Sequence, residues 1–161
     1  MTRLAVALVA ALLAADAPAP AVERDRALAE VAAKIAEAHR KADALEKQGE
    51  PTQAVAELAA VQAQPLPDCE EGWNLQADLA ARISQLTLRV GDVDGARHAA
   101  KKGLDDARGK PASIYVAQLW LRLGEAREAA KDDDGAVNAY QSAIEVAKAA
   151  LAPSQDAGRA Q

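Results

Sequence analysis

Alanine accounts for 43 of the 161 residues of this chain, and phenylalanine does not occur in it. Alanine is the best helix former, because it loses no side-chain entropy when a helix forms. The β-branched and aromatic residues, which favour strands, are sparse. Since each alanine buries little apolar area, a core built from alanines is stable only where helices approach one another closely. The sequence therefore predicts an all-α protein whose helices pack on small residues.

The charge balance argues against one class of partner. The formal net charge is −5, and acidic and basic residues are interspersed along the chain. Proteins that bind nucleic acid neutralise its phosphates with a basic stripe, and the sequence as a whole does not provide one. We therefore expect no nucleic acid partner, and the mild acidic balance mainly favours solubility.

The amino-terminal segment has the pattern of an export signal. Arg3 precedes an uncharged apolar run, residues 4–15, which is too short to span a bilayer as a helix but suits the core of a signal peptide. We assign residues 1–17 to a signal peptide and residues 18–21 to a linker. We expect an exported protein, periplasmic or secreted, with no membrane span in its mature form.

Two alternatives remain for this segment. Ala15-Asp16-Ala17 matches the small-x-small cleavage pattern, but Pro18 follows it directly, so cleavage after Ala15 is the other candidate. The run could also be the first amphipathic helix of a cytoplasmic protein. That interpretation needs a polar face, which these residues do not have.

Helix-breaking residues divide the chain from residue 22 to residue 152 into six helices. We predict three antiparallel hairpins, at 22–64, 73–109 and 111–151, and a disordered tail at 153–161. Apolar residues in the first helix recur at steps of three and four and form one stripe: Leu28, Val31, Ile35, Ala38, Ala42 and Leu45. The breaks contain residues that stop or cap helices: Gly49-Glu50-Pro51, Pro65 to Gly72, Gly91-Asp92, Gly109-Lys110-Pro111 and Lys131-Asp132.

An alanine recurs once in each hairpin, early in its second helix, at spacings of 42 and 40 residues. These alanines are Ala54, Ala96 and Ala136. Around the third one the sequence reads W-x₂-L-G and then A-x₃-Y-x₂-A, formed by Trp120, Leu123, Gly124, Ala136, Tyr140 and Ala143. This motif resembles the tetratricopeptide repeat, and the long period is similar to the longer-helix variety of kinesin light chains. Arg127 and Lys148 depart from the motif, at places where an aromatic residue and a proline are usual.

The resemblance implies an α-solenoid of three stacked hairpins that winds as a right-handed superhelix, with the first helix of each hairpin along a concave groove. Carried over by register, the residues expected to face this groove include Arg40, Arg82, Arg122, His39, Arg89 and Gln118. The three arginines occupy the same place in the three copies. Because neighbouring guanidinium groups repel one another unless they meet anions, one hypothesis is a groove that grips an acidic peptide. The alternative is that Asp43, Asp78 and Glu125 pair with the arginines on a solvated face.

Patterns for catalysis or metal binding are weak. His39 and His98 lie on different hairpins without a metal ligand at helical spacing, and no glycine-rich phosphate loop occurs. The run Asp132 to Asp134 is better placed to begin a helix than to bind Ca²⁺, whose loops spread their ligands over a longer turn. Cys69 is the only cysteine, so an internal disulfide cannot form. We expect no enzyme, no metal and no cofactor.

Two kinds of function remain. The first is a non-enzymatic scaffold for protein–protein interaction in a bacterial-type cell envelope, which binds a peptide or a partner helix in the groove. The second is a self-assembling structural component, a homo-oligomer that uses the stripe of residues 22–48 as a coiled-coil seam. The sequence favours the first.

Overall fold

The computed structural model of this protein describes residues 20–152. Every regular element in that range is a helix, which confirms the predicted all-α class. The helices are α1 (Pro20–Lys47), α2 (Pro51–Gln62), α3 (Glu70–Val90), α4 (Val93–Asp106), α5 (Ile114–Ala129) and α6 (Asp133–Leu151). The predicted signal peptide and carboxyl-terminal tail lie outside the described residues.

Three helices begin at other residues than the sequence predicts. Helix α1 begins at Pro20, inside the predicted linker, and α3 begins at Glu70, within the predicted loop. Glu70 and Glu71 occupy the first turn of α3, where the helix dipole favours acidic residues. Helix α5 begins after Ser113, whose hydroxyl accepts a hydrogen bond of 3.3 Å from the Val116 amide. This cap, and not Pro111, therefore sets the start of α5.

A second repeated motif caps the helices that end the second and third hairpins. Asp92 accepts a hydrogen bond of 2.8 Å from the Gly95 amide, and Asp132 accepts one of 3.0 Å from the Gly135 amide. A Cβ atom at either glycine would overlap with the aspartate carboxylate. The pattern D-x-x-G-A is therefore a capping unit, and it precedes the same small-residue contact in both hairpins.

The helices pack mainly on their neighbours in the chain. Each helix packs against the next, and α3 also packs against α1 and α5. Among residues 20–152, the first hairpin does not pack against the third, and the even-numbered helices do not pack against one another. Each hairpin thus contacts only the adjacent hairpin, which is a helical-repeat-like arrangement.

Contacts between the odd-numbered helices fix their direction. His39 Nε2 of α1 lies 3.1 Å from Asp78 Oδ2 of α3. One turn further along both helices, Asp43 Oδ1 accepts a hydrogen bond of 2.7 Å from Arg82. Because the residue numbers rise together, α1 and α3 run side by side in the same direction.

Small residues lie where the helices approach most closely. The three repeated alanines are buried. A Cβ atom at Gly103 of α4 would lie 2.8 Å from the Ala80 Cβ of α3 and 2.7 Å from the Leu119 Cδ2 of α5. Gly124 of α5 lies against the ring of Tyr140 of α6, so a Cβ atom there would overlap with that ring. These glycines let three helices meet at one point and let α5 and α6 pair closely.

The packing of Gly124 against Tyr140 predicts that the effect of Gly124→Ala on stability changes sign when the Tyr140 ring is removed. In the wild-type background, Gly124→Ala is expected to destabilise the protein by about 1–3 kcal/mol, because the new methyl overlaps with the ring. In a Tyr140→Ala background the ring is gone, and Gly124→Ala is expected to stabilise by about 1 kcal/mol through helix propensity. Urea unfolding measures both values, and equal effects in the two backgrounds would contradict the contact.

Tyr140 also provides a pH test of the α5–α6 contact. Burial, and then the hydrogen bond of 2.7 Å that its hydroxyl donates to Glu128, raise the pKa of Tyr140 to about 12. An unfolded tyrosine ionises near pH 10. The folded state therefore holds this proton more tightly, and the stability from this group is lost as the pH rises from about 10 to about 12.

The measurement uses the fact that the chain has two tyrosines. In a Tyr115→Phe variant, ultraviolet absorbance follows the ionisation of Tyr140 alone, with an expected midpoint of about 12. Glu128→Gln is expected to lower the midpoint, because the carboxylate charge no longer opposes ionisation. A midpoint near 10 in the folded protein would show that the ring is solvated.

Candidate functional site

One face of the structure is built entirely from the odd-numbered helices, and we call it the odd-helix face. It carries two depressions, which follow successive turns of α3 and α5. The first, the apolar depression, has a volume of about 440 Å³, and the residues that line it are Asp25, Leu28, Ala29, Ala32, Glu71, Asn74, Leu75 and Tyr115. The second, the polar depression, measures about 150 Å³, and the residues that line it are Asp78, Ala81, Arg82, Gln85, Gln118 and Arg122.

The apolar depression follows from the unequal lengths of the first two helices. Helix α1 has 28 residues and α2 has 12. At 1.5 Å per residue, the amino-terminal half of α1 runs beyond its partner. Leu28 therefore cannot be covered by α2; it lies half-buried beside Leu75 of α3 and Tyr115 of α5. A pocket of this size and composition suits apolar side chains of a ligand.

Arg82 is the most extensively paired charge on the odd-helix face. Its guanidinium donates hydrogen bonds of 2.7 Å to Asp43, 2.8 Å to Glu46 and 2.7 Å to Gln85. Glu46 also pairs with Arg89. The Arg82 side chain is only 21% exposed, so these bonds form in a partly desolvated setting. The network joins α1 to α3 and neutralises the arginine from within the chain.

His39 and Arg122 complete the polar part of the face. His39 Nε2 is buried and lies 3.1 Å from Asp78 Oδ2, at ion-pair distance but without hydrogen-bond geometry. Arg122 Nη1 donates hydrogen bonds of 2.9 and 2.8 Å to the two carboxylate oxygens of Glu125. Asp43 and Glu125 thus pair with arginines, as the solvated-face hypothesis expects, whereas Asp78 pairs with His39.

The structure brings together most of the residues that the sequence places in a groove. Arg82, Arg122 and Gln118 line the polar depression, and His39 and Arg89 join it through Asp78 and Glu46. Arg40 lies elsewhere. It pairs with Glu37 and lines a depression between α1 and α2. The cause is its helix: within residues 20–152 no hairpin precedes α1, so the same register place has no preceding helix pair to face.

Sequence reasoning missed the apolar part of the face. Leu28 was predicted as a member of the apolar stripe of the first helix, and Tyr115 was not singled out. The available signal was the length of the first helical stretch against the second, because the unmatched turns of α1 must leave part of its stripe without a cover from α2.

The repeat-defining residues lie inside the helix contacts. Ala54 and Ala96 are 0% exposed, Ala136 is 3% exposed and Leu123 is 2% exposed, whereas Trp120, Tyr140 and Ala143 are half-buried. These positions hold helices together and take no part in the odd-helix face. The chain matches no protein-family model and no curated protein.

Within residues 20–152, no group of three His, Cys, Asp or Glu side chains is placed to hold a metal ion. Over the same part of the chain, none of the helices combines the length and the apolar character needed to cross a membrane.

Arg82 and Arg40, two of the three arginines at the same register place, offer a matched pair of variants. Arg82→Ala is expected to destabilise the protein by about 1–2 kcal/mol, because Asp43 and the half-buried Glu46 lose their shared donor. Arg40→Ala is expected to change stability much less, because its pair with Glu37 is solvated. The Arg40 side chain is 69% exposed, against 21% for Arg82. Urea unfolding compares the two, and a larger cost at Arg40 would overturn this account of the network.

Proposed function

We propose that the protein is a non-enzymatic scaffold for protein–protein interaction, built as a tetratricopeptide-like α-solenoid. In this proposal the three hairpins stack in a right-handed superhelix, and the odd-helix face is its concave groove. Three observations support it: each hairpin packs only on the adjacent one, α1 and α3 run in the same direction, and small residues lie in the contacts at repeat spacing. The ligand is a peptide segment or a helix of another protein.

The apolar depression is the observation that carries the proposal. Leu28, Leu75 and Tyr115, from three different helices, line this depression of about 440 Å³. Burying one leucine-sized side chain of a partner there contributes about 1.5–3 kcal/mol. The adjacent polar depression supplies fixed charges for orientation. We therefore propose a ligand with an apolar anchor followed by polar residues.

An acidic ligand would act through exchange of ion pairs. Arg82 and Arg122 already have carboxylate partners in Asp43, Glu46 and Glu125. An acidic side chain of a ligand would have to replace one of these carboxylates, so its net contribution to affinity is small. In this proposal the arginines set the register of the ligand, and the apolar anchor provides most of the affinity.

The proposed site of action is the cell envelope. The pattern of residues 1–17 supports export, to the periplasm or out of the cell. The alternative role, self-assembly through the stripe of the first helix, has less support. Ile35, Ala38 and Ala42 of that stripe are buried within the chain, so they are not accessible to a second α1.

Site-specific photo-crosslinking tests the groove. A photoreactive amino acid at Tyr115 or Leu28 is expected to capture a defined partner from envelope extract, because both positions face the apolar depression. The control carries the same group at His98, an exposed position on α4. Adducts confined to the two groove positions are the expected result. Equal capture at all three positions would contradict the proposal.

Binding variants then separate the apolar anchor from the charges. Leu28→Asp is expected to weaken the affinity for the crosslinked partner by about tenfold or more, since a charge replaces an apolar contact with the ligand. The double charge reversal Arg82→Glu and Arg122→Glu is expected to have a smaller effect, because both arginines already pair with carboxylates of the chain; a larger effect than that of Leu28→Asp would contradict the apolar anchor. Val90→Asp, at an apolar position that is 44% exposed and outside both depressions, is the matched control. Isothermal titration with the identified partner measures all three.

A further inference from the structure

The last hairpin carries most of the exposed apolar surface. Of the eight large apolar side chains that are exposed in the described residues, six lie on α5 and α6. They are Ile114, Tyr115, Leu121, Val137, Ile144 and Leu151. Exposed apolar side chains concentrated in one region mark an interaction surface more often than the same side chains scattered singly.

Three of these residues form a regular row on α6. Val137, Ile144 and Leu151 are 53%, 54% and 76% exposed and follow one another at intervals of seven residues. Tyr140 and Ala147, both half-buried, lie between them, so the five residues alternate steps of three and four. We call this row the α6 stripe. The spacing is that of a helix that packs along a second helix.

In the repeat register, the equivalents of Val137 and Ile144 are half-buried in the first two hairpins: Val55, Arg97, Gln62 and Leu104. Tyr140 corresponds to Ala100 and to Leu58, at distances of 40 and 82 residues in the sequence, and both equivalents are 0% exposed. Leu121 is 38% exposed, whereas its equivalent Ala81 is 4% exposed. In the first two hairpins the following hairpin covers this surface. Within residues 20–152, nothing packs over it in the third.

The opposite end of the structure, at α1 and α2, is too polar to receive the α6 stripe of another copy in a head-to-tail stack. Six polar residues line the depression between α1 and α2, together with three smaller apolar ones. The polar residues are Lys34, Glu37, Arg40, Lys41, Glu57 and Gln64. Covering these charges with the α6 stripe would desolvate them without partners. The stripe therefore fits another apolar stripe better than it fits the first end.

The charges beside the stripe select the orientation. Asp134 and Lys148 both lie seven residues from Gln141, on the same edge of the stripe. In an antiparallel pair of α6 helices, Asp134 of one protomer lies beside Lys148 of its partner, and the same pair recurs across the two-fold axis. In a parallel pair this edge would instead face the other edge of the partner's stripe, where Ala136, Ala143 and Ala150 lie, so neither charge would gain a partner.

We propose that two copies of this chain associate through the α6 stripe, as an antiparallel pair with its two-fold axis near Gln141. The contact is isologous, so it closes on itself and gives a dimer. The groove of each protomer lies on the odd-numbered helices and remains open to ligands. This inference does not depend on the proposed function of that groove.

Sedimentation equilibrium of the purified chain tests the dimer. Wild-type protein is expected to dimerise below about 100 μM, and Ile144→Asp to weaken the dimer by roughly a hundredfold, because both copies lose a buried side chain. Val90→Asp is the matched control, expected to dimerise as wild type does. Circular dichroism checks that each variant keeps its helices. A wild-type chain that stays monomeric at that concentration would overturn the proposal and leave the stripe to a different partner.

A charge exchange tests the antiparallel orientation separately. Asp134→Lys alone and Lys148→Asp alone are each expected to weaken the dimer by about fivefold, because each places like charges together twice. Mixing the two variants restores both opposite-charge pairs, so the mixture is expected to associate more tightly than either variant alone. A mixture no tighter than its components would overturn the antiparallel arrangement. Groove crosslinks at Tyr115 are expected to persist in Ile144→Asp, which keeps the two tests independent.

Discussion

Close approach of helices at residues without bulk is the contact on which the rest of this structure depends. Gly103 lets α4 meet both Ala80 of α3 and Leu119 of α5, and Gly124 lets α5 lie directly against the Tyr140 ring. With few aromatic residues available, no large side chain could bridge a wider gap. Because the helices are held this close, the odd-numbered ones come to lie side by side. The surface between them is therefore a product of the packing.

The charges on that surface act as part of the framework. Arg82 ties α1 to α3 through Asp43 and Glu46, while Arg122 is held by Glu125 within its own helix. A partly desolvated guanidinium with two carboxylate partners has little attraction left for a third. In the proposed groove, the charges of the face would therefore orient a ligand more than they would add to its affinity. In that proposed groove, apolar burial beside Leu28 and Tyr115 is the larger source of affinity.

The helices could be predicted from the sequence because their causes are local. Asp92 and the glycine breaks act within a few residues of themselves, and alanine composition decides the class. The environment of Arg40 could not be predicted, because register gives the place within a hairpin but not the number of neighbours that the hairpin has. The apolar depression was missed for a related reason. Leu28 belongs to a stripe that is buried along most of its length, and only the shortness of α2 uncovers it.

The confinement of contacts to adjacent hairpins has a mechanical consequence. Because the first hairpin does not pack against the third within residues 20–152, each joint between hairpins can rotate slightly without a compensating shift at the other. Small rotations at the two joints add along the chain and change the width of the face between α1 and α5. The molecule can therefore bend at these joints while the packing within each hairpin is kept.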